Sequence, residues 1–154
     1  MLHNTRRLHY FFMSAKSLKI DSLDLDLENP RIKKASNQRE AMQNIIDDQK
    51  VKLVNLAESI AVKGFSPIDR CLIMRSDNRN GHFTVLEGNR RILAAKLLKN
   101  PSLASDLDMP EAHKNACTRP LRISTPSLLS RLIVIWFQPR GRRGMDSAEA
   151  QRRG

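Results

Sequence analysis

The chain has 154 residues, 40% of them hydrophobic, which suits one domain with a modest core. Its formal net charge of +11 comes from the two ends, because residues 20–112 carry fourteen acids and fourteen bases. This balance excludes a basic surface on the folded domain as the source of the net charge. No apolar run approaches the roughly 20 residues of a membrane-spanning helix, so no membrane association is expected.

The first part of the chain is predicted to be a basic N-terminal extension, residues 1–17. Residues 1–19 carry four Lys and Arg residues and no acid. A short apolar patch precedes Met13 but lacks the roughly 7–15 residues of a secretory signal core. Two alternatives stay open: a transit peptide, because acids are absent before Asp21, and a natural start at Met13.

A strand and a short helix are predicted next. Apolar and polar residues alternate in parts of 18–27, which predicts a half-buried strand. Asn29-Pro30 ends it, because the residue before a proline favours extended geometry. Asn37 followed by Glu40 is a capping-box signal for a short amphipathic helix that ends near residue 48.

A second helix, a hairpin and a third helix follow. Apolar residues at helical spacing predict a helix at 51–63, with Gly64 as its C-terminal stop. Strands are predicted at 68–74 and 82–86, joined by a loop rich in turn-forming residues. The third helix is predicted at 89–99. Together these elements predict an α+β fold in which helices pack on a small mixed sheet.

The last part, residues 113–154, is predicted to be a basic C-terminal segment, truncated or partly disordered. It carries nine Lys and Arg residues and two acids. Residues 118–124 are a candidate edge strand, and residues 128–137 are apolar enough for a core helix or a core strand. Trp136 and Phe137 are candidates for stacking on nucleic-acid bases, and a solvated tail beside a buried apolar patch is the alternative. Three arginines are candidate contacts to nucleic-acid phosphates: Arg140, Arg142 and Arg143.

The most informative stretch joins the last predicted strand to the third helix, and it reads Glu87-Gly88-Asn89-Arg90-Arg91. A glycine turn at a helix start exposes backbone N–H groups at the positive end of the helix dipole, which favours an anion. Two arginines in the first turn are disfavoured by a few tenths to about 1 kcal/mol each, and a bound anion relieves that cost. This pattern predicts a phosphate site. The alternative is a solvated turn that Glu87 partly neutralises.

Three motifs within residues 18–100 resemble the N-terminal domain of ParB proteins, in the ParB/sulfiredoxin-like superfamily. Asn29-Pro30-Arg31 is similar to the early Asn-Pro-Arg box of that family. The helix around residues 56–60, followed by Gly64 and Pro67-Ile68, is similar to its helix, glycine turn and second strand. The Gly88 turn is similar to its Gly-x-Arg-Arg box. The order and spacing of the three motifs are more specific than any one of them, and residues 18–112 are therefore predicted to be a ParB-like domain.

The resemblance implies a nucleoside triphosphate, CTP or ATP, bound with Mg²⁺. The family usually has Gln where this chain has Ser66, so the base is not specified, and a helix stop with a bend is the alternative for this turn. The family also has Glu where this chain has Asn89, which we predict to be the helix N-cap, so binding is a firmer expectation than hydrolysis. The implied nucleotide contacts are Gly88, Asn89, Arg90, Arg91, Arg31, Gly64 and Ser66.

Enzymatic alternatives depend on acids near the phosphates. Sulfiredoxin chemistry requires a nucleophilic cysteine in the phosphate turn, where this chain has Asn89. A nucleotide-dependent kinase of the same superfamily requires a carboxylate base, for which Glu28 and Glu87 are the candidates. For Glu87 the alternative is a charge partner for the arginines. A nuclease of the superfamily and a truncated, non-catalytic remnant are further alternatives.

The functional prediction is a nucleotide- or phosphate-binding domain that associates with DNA or a DNA-bound complex, in a partition, plasmid, phage or defence setting. A dimer is an expected assembly. Cys71 and Cys117 are distant and lack metal-type spacing, so we expect a reducing, cytoplasmic location, no disulfide framework and no metal site formed by the protein itself. Cys71 is expected to be a small buried hydrophobe.

Overall fold

The structure is a computed structural model that describes residues 12–66, 68, 70–117 and 131–138. Its strands are β1 (Phe12–Lys19), β2 (Leu23–Leu25), β3 (Cys71–Arg75), β4 (Phe83–Glu87) and β5 (Arg131–Gln138). Its helices are α1 (Gln38–Gln49), α2 (Val51–Lys63), α3 (Asn89–Lys99), α4 (Ser102–Ser105) and α5 (Glu111–Cys117). The α+β class is therefore confirmed.

The five strands form one mixed sheet in the order β1-β5-β3-β4-β2. The pairs β2–β4 and β3–β5 are parallel, whereas β1–β5 and β3–β4 are antiparallel. The hairpin predicted between the third and fourth strands is therefore confirmed. Because β1 and β5 belong to this sheet, it extends beyond the predicted domain bounds of 18–112 at both ends.

The prediction of one strand over residues 18–27 is wrong. β1 ends at Lys19, a 3-10 turn covers Ile20–Ser22, and β2 lies at the opposite edge of the sheet. Ile20, Leu23 and Leu25 are all buried, so the alternation shifts by one residue across the turn. A single strand cannot bury both halves of such a pattern on one face.

Local signals set the start of α1 and the end of α2. Asn37 Oδ1 accepts a hydrogen bond from the Glu40 N–H at 2.9 Å, which confirms the predicted cap of α1. The Glu40 carboxylate in turn accepts from the Ser36 hydroxyl at 2.6 Å, and this bond lowers the pKa of Glu40. α2 ends before Gly64, whose φ of 73° is a positive value that glycine adopts without strain. The predicted bounds of α2 and α3 are confirmed.

α3 is the central helix of the fold. Six of its apolar side chains are buried: Ile92, Leu93, Ala94, Ala95, Leu97 and Leu98. They belong to the same core as Ile73, Val85 and Val134 of the sheet, each of which is 0% exposed. Burial on nearly every side fixes the position of the helix, and its N-terminus is fixed with it.

Most of the apolar stretch predicted as either a core helix or a core strand, residues 128–137, belongs to β5. Leu132 and Val134 alternate with the exposed Ile133, as expected of a strand with one face on the core. Trp136 also packs against the core, and Lys16 Nζ lies 3.5 Å from the centroid of its ring. One face of the ring is thus engaged in a cation–π contact with Lys16. Within the described ranges, no helix combines the length and apolarity needed to cross a bilayer.

Candidate phosphate-binding pocket

The turn between β4 and α3 is built around Gly88. Its φ of 104° and ψ of 12° lie in the left-handed region, which other residues adopt only with strain. A Cβ at this position would lie 2.5 Å from Sγ of Cys71, the first residue of β3. Cys71 is fully buried, as predicted. Glycine is therefore required here both by the backbone conformation and by the close approach of β3.

Asn89 has a structural role that the sequence did not indicate. Gly88 is the N-cap of α3, so the prediction that Asn89 caps the helix is wrong. The Asn89 side chain is buried; its Oδ1 accepts from the Asp26 N–H at 2.9 Å and its Nδ2 donates to the Val85 carbonyl at 2.9 Å. It thereby joins the end of β2 to β4. Because Asp26 leads into the Asn-Pro-Arg segment, this connection holds that segment beside the Gly88 turn.

A pocket of about 170 Å³ lies at this junction, and we call it the Gly88 pocket. Four segments line it: the loop after β2, the C-terminal end of α1, the end of β4 and the first turn of α3. Its charged lining residues are Arg31, Asp48, Glu87, Arg90 and Arg91. The fold thus brings together the two arginine-containing motifs that the sequence analysis identified.

Two arginines of the pocket, Arg31 and Arg90, make contacts that a ligand can replace. Arg31 Nη1 lies 3.2 Å from Glu87 Oε1, and both side chains are largely exposed, so this ion pair contributes at most about 1 kcal/mol. Arg90 Nη1 donates to Gln49 Oε1 at 2.6 Å. Arg91 Nη1 lies 3.8 Å from Cys71 Sγ. The contact of Arg90 is thus to a neutral side chain, which does not compensate the positive charge of its guanidinium group.

The acids of the pocket differ from those predicted. Glu87 lines it, whereas Glu28 forms an exposed ion pair with Lys34 at 2.6 Å, which lowers the pKa of Glu28. Asp48, near the end of α1, is a lining acid that sequence reasoning missed, and the Gln49 side-chain amide donates to its carboxylate. The sequence did contain a signal, because an acid in the last turn of a helix interacts unfavourably with the negative end of the helix dipole. Such an acid is a candidate for a functional role.

The remaining predicted contacts do not meet at this pocket. Gly64 is the C-cap of α2, and Ser66 Oγ accepts from the Ile68 N–H at 3.3 Å, which matches the alternative of a helix stop followed by a bend. Neither residue lines the Gly88 pocket. The candidate nucleic-acid contacts lie outside the described residues: Arg140, Arg142 and Arg143. In the part of the chain that the structure describes, no three His, Cys, Asp or Glu side chains are grouped as metal ligands.

Comparisons with known proteins returned no relative. No protein-family model matches the chain, no curated protein matches it, and no solved structure matches it. The ParB-like resemblance consequently depends on the three motifs alone, and it stays a prediction.

Proposed function

We propose that the chain is a ParB-like domain that binds the phosphates of a nucleoside triphosphate in the Gly88 pocket. The observation that carries this proposal is the convergence of two distant motifs. Arg31 reaches Glu87 across 56 residues of sequence and lines the same pocket as Arg90 and Arg91. Three guanidinium groups around one small pocket are the side chains best suited to hold phosphate oxygens, because each can donate two parallel hydrogen bonds.

The backbone supports the same ligand class. α3 begins at Asn89, so the N–H groups of its first turn have no partner within the helix and carry the positive end of its dipole. The left-handed Gly88 lets the chain turn here without a side chain in the way. A phosphate at the pocket would meet these N–H groups together with the arginines, as at other helix N-termini.

The association with DNA belongs to the same proposal and rests on the resemblance to ParB proteins. The excess of basic residues in the two flanks, four in residues 1–19 and seven more bases than acids in residues 113–154, supports it. Positive segments attract a polyanion without reading its sequence. We propose DNA or a DNA-bound protein complex as the partner, in a cytoplasmic setting.

A second function is favoured by one specific observation. Asp48 and Glu87 both line the pocket that would hold the phosphates. Paired carboxylates can hold a Mg²⁺ ion or accept a proton from an attacking hydroxyl, as phosphotransferases require. A nucleotide-dependent kinase or hydrolase is therefore the alternative proposal, with Asp48 as the residue to test.

The experiment is a calorimetric titration of the full chain with CTP, ATP and GTP in the presence of Mg²⁺, followed by Arg91→Ala. Loss of one charge-assisted contact should weaken triphosphate binding by at least about 1.5 kcal/mol, which is more than tenfold. Arg39→Ala is the matched control, because Arg39 also lies on the surface but sits about 15 Å from Gln49 along α1 and contacts the Asp106 carbonyl. Unchanged affinity in a folded Arg91→Ala protein would refute the assignment.

A further inference from the structure

The Gly88 pocket is too small to enclose a whole nucleotide. Its volume of about 170 Å³ is below the roughly 300–1,000 Å³ of pockets that bury most of a drug-sized ligand. A ligand held here must leave much of its surface outside. Since the arginines line the pocket itself, the enclosed portion is the phosphate portion.

The side-chain amides of the pocket are largely engaged within the protein. Both ends of the Gln49 amide are engaged, its oxygen by Arg90 and its nitrogen by Asp48. Both ends of the Asn89 amide are engaged as well, by the backbone of Asp26 and Val85. Asn29 Oδ1 accepts from the Arg31 N–H at 3.0 Å. Amides that are already satisfied within the protein gain little from a second partner, so they contribute little discrimination between bases.

The apolar part of the lining does not supply a stacking surface. Its members are aliphatic: Ile32, Ile45 and Leu86. Among the described lining residues there is no aromatic ring, the side chain on which bases stack most strongly. Ser66, at the turn that the resemblance assigns to the base, lies outside this lining.

We propose that the Gly88 pocket recognises a short polyphosphate chain and does not select the base attached to it. The inference rests on the proposed function and specifies its ligand class: inorganic tripolyphosphate and the triphosphate tail of any nucleotide carry the same chemistry. In the bound state a terminal phosphate takes the place of the Glu87 carboxylate at Arg31. The further phosphates lie toward Arg90, Arg91 and the N-terminus of α3.

The test compares inorganic tripolyphosphate with CTP, ATP, GTP and UTP in calorimetric titrations of the full chain at one Mg²⁺ concentration. We expect the four nucleotides to agree within about threefold, and tripolyphosphate to lie within about fivefold of them. Gln49→Ala should change all four nucleotide affinities by a common factor, because Gln49 positions Arg90 and does not contact a base.

The outcomes separate the two proposals. One nucleotide that binds more than about tenfold tighter than the other three overturns the inference of base indifference and leaves phosphate binding intact. A Gln49→Ala variant that loses affinity for one nucleotide alone overturns it in the same way. If neither tripolyphosphate nor any nucleotide binds while the protein is folded, the proposed function itself is wrong.

Discussion

Gly88 provides the sharpest test of the site's architecture. In Gly88→Ala, the left-handed backbone costs about 1–2 kcal/mol for any residue with a Cβ. The new methyl group would also lie 2.5 Å from Cys71 Sγ, and overpacking of this kind costs about 1–3 kcal/mol. The free energy of unfolding should therefore fall by about 2–5 kcal/mol, a large fraction of a small domain's stability.

Gly81→Ala is a matched control within the same chain. Gly81 has a φ of 78°, but a Cβ there would meet no atom within 4 Å. Its substitution should cost only the backbone strain, about 1–2 kcal/mol. The difference between the two variants, about 1–3 kcal/mol, isolates the contact with Cys71.

Urea unfolding followed by the fluorescence of Trp136, the one tryptophan of the chain, measures both variants. Adding Cys71→Ala to Gly88→Ala removes the Sγ atom, and the double-mutant cycle should show a coupling of at least about 1 kcal/mol. Equal losses in Gly88→Ala and Gly81→Ala, with no coupling to Cys71, would contradict the close approach of β3 to this turn.

Three further predictions follow from contacts around the pocket and the core. Asn89→Ala leaves the Asp26 N–H and the Val85 carbonyl without their partner, so the free energy of unfolding should fall by about 1–3 kcal/mol. A change within error of zero in urea titrations would show that the protein does not need this connection. Glu87→Gln removes the carboxylate that occupies Arg31, so triphosphate should bind about two- to fivefold more tightly by calorimetry, whereas weaker binding would point to a ligand or metal contact by Glu87. Burial is the main cause that lowers the pKa of Lys96 in the folded protein. Between this lowered pKa and the ordinary lysine pKa, the unfolded chain holds a proton on Lys96 that the folded chain has released. The free energy of unfolding should therefore rise with pH across that range. Lys96→Met should abolish that rise in unfolding curves recorded across the alkaline range, and an unaltered slope would assign it to another group.

The parts of the fold that sequence predicted well are those set by local signals. α2 and α3 have the predicted bounds because helical periodicity and a glycine turn at one end are properties of neighbouring residues. The order of the strands was not predictable in this way. β1 pairs with β5 and β2 pairs with β4, and the residues between the paired strands contain no local pattern that predicts either pairing.

The residues of the candidate site show the same difference between local signals, which the sequence reveals, and tertiary contacts, which it does not. Arg31, Glu87 and the arginines of the Gly88 turn were found from motifs. Asp48 and Gln49 were missed because the pocket brings the end of α1 near the end of β4, a tertiary relation that neighbouring residues do not encode. The role of Asn89 was misread for a similar reason: the partners of its amide are the Val85 carbonyl within β4 and the N–H of Asp26, which follows β2 and is far away in the sequence.

The pairing of β1 with β5 has a consequence for how this chain is made. The first strand described, β1, pairs with β5, so the ribosome synthesises residues 20–130 before the hydrogen-bonding neighbour of β1 exists. Until β5 exists, β1 has no strand with which to pair, and β3 lacks its parallel neighbour. Completion of the sheet must therefore wait for β5, and a nascent chain halted before residue 131 exposes two strand edges to unrelated proteins.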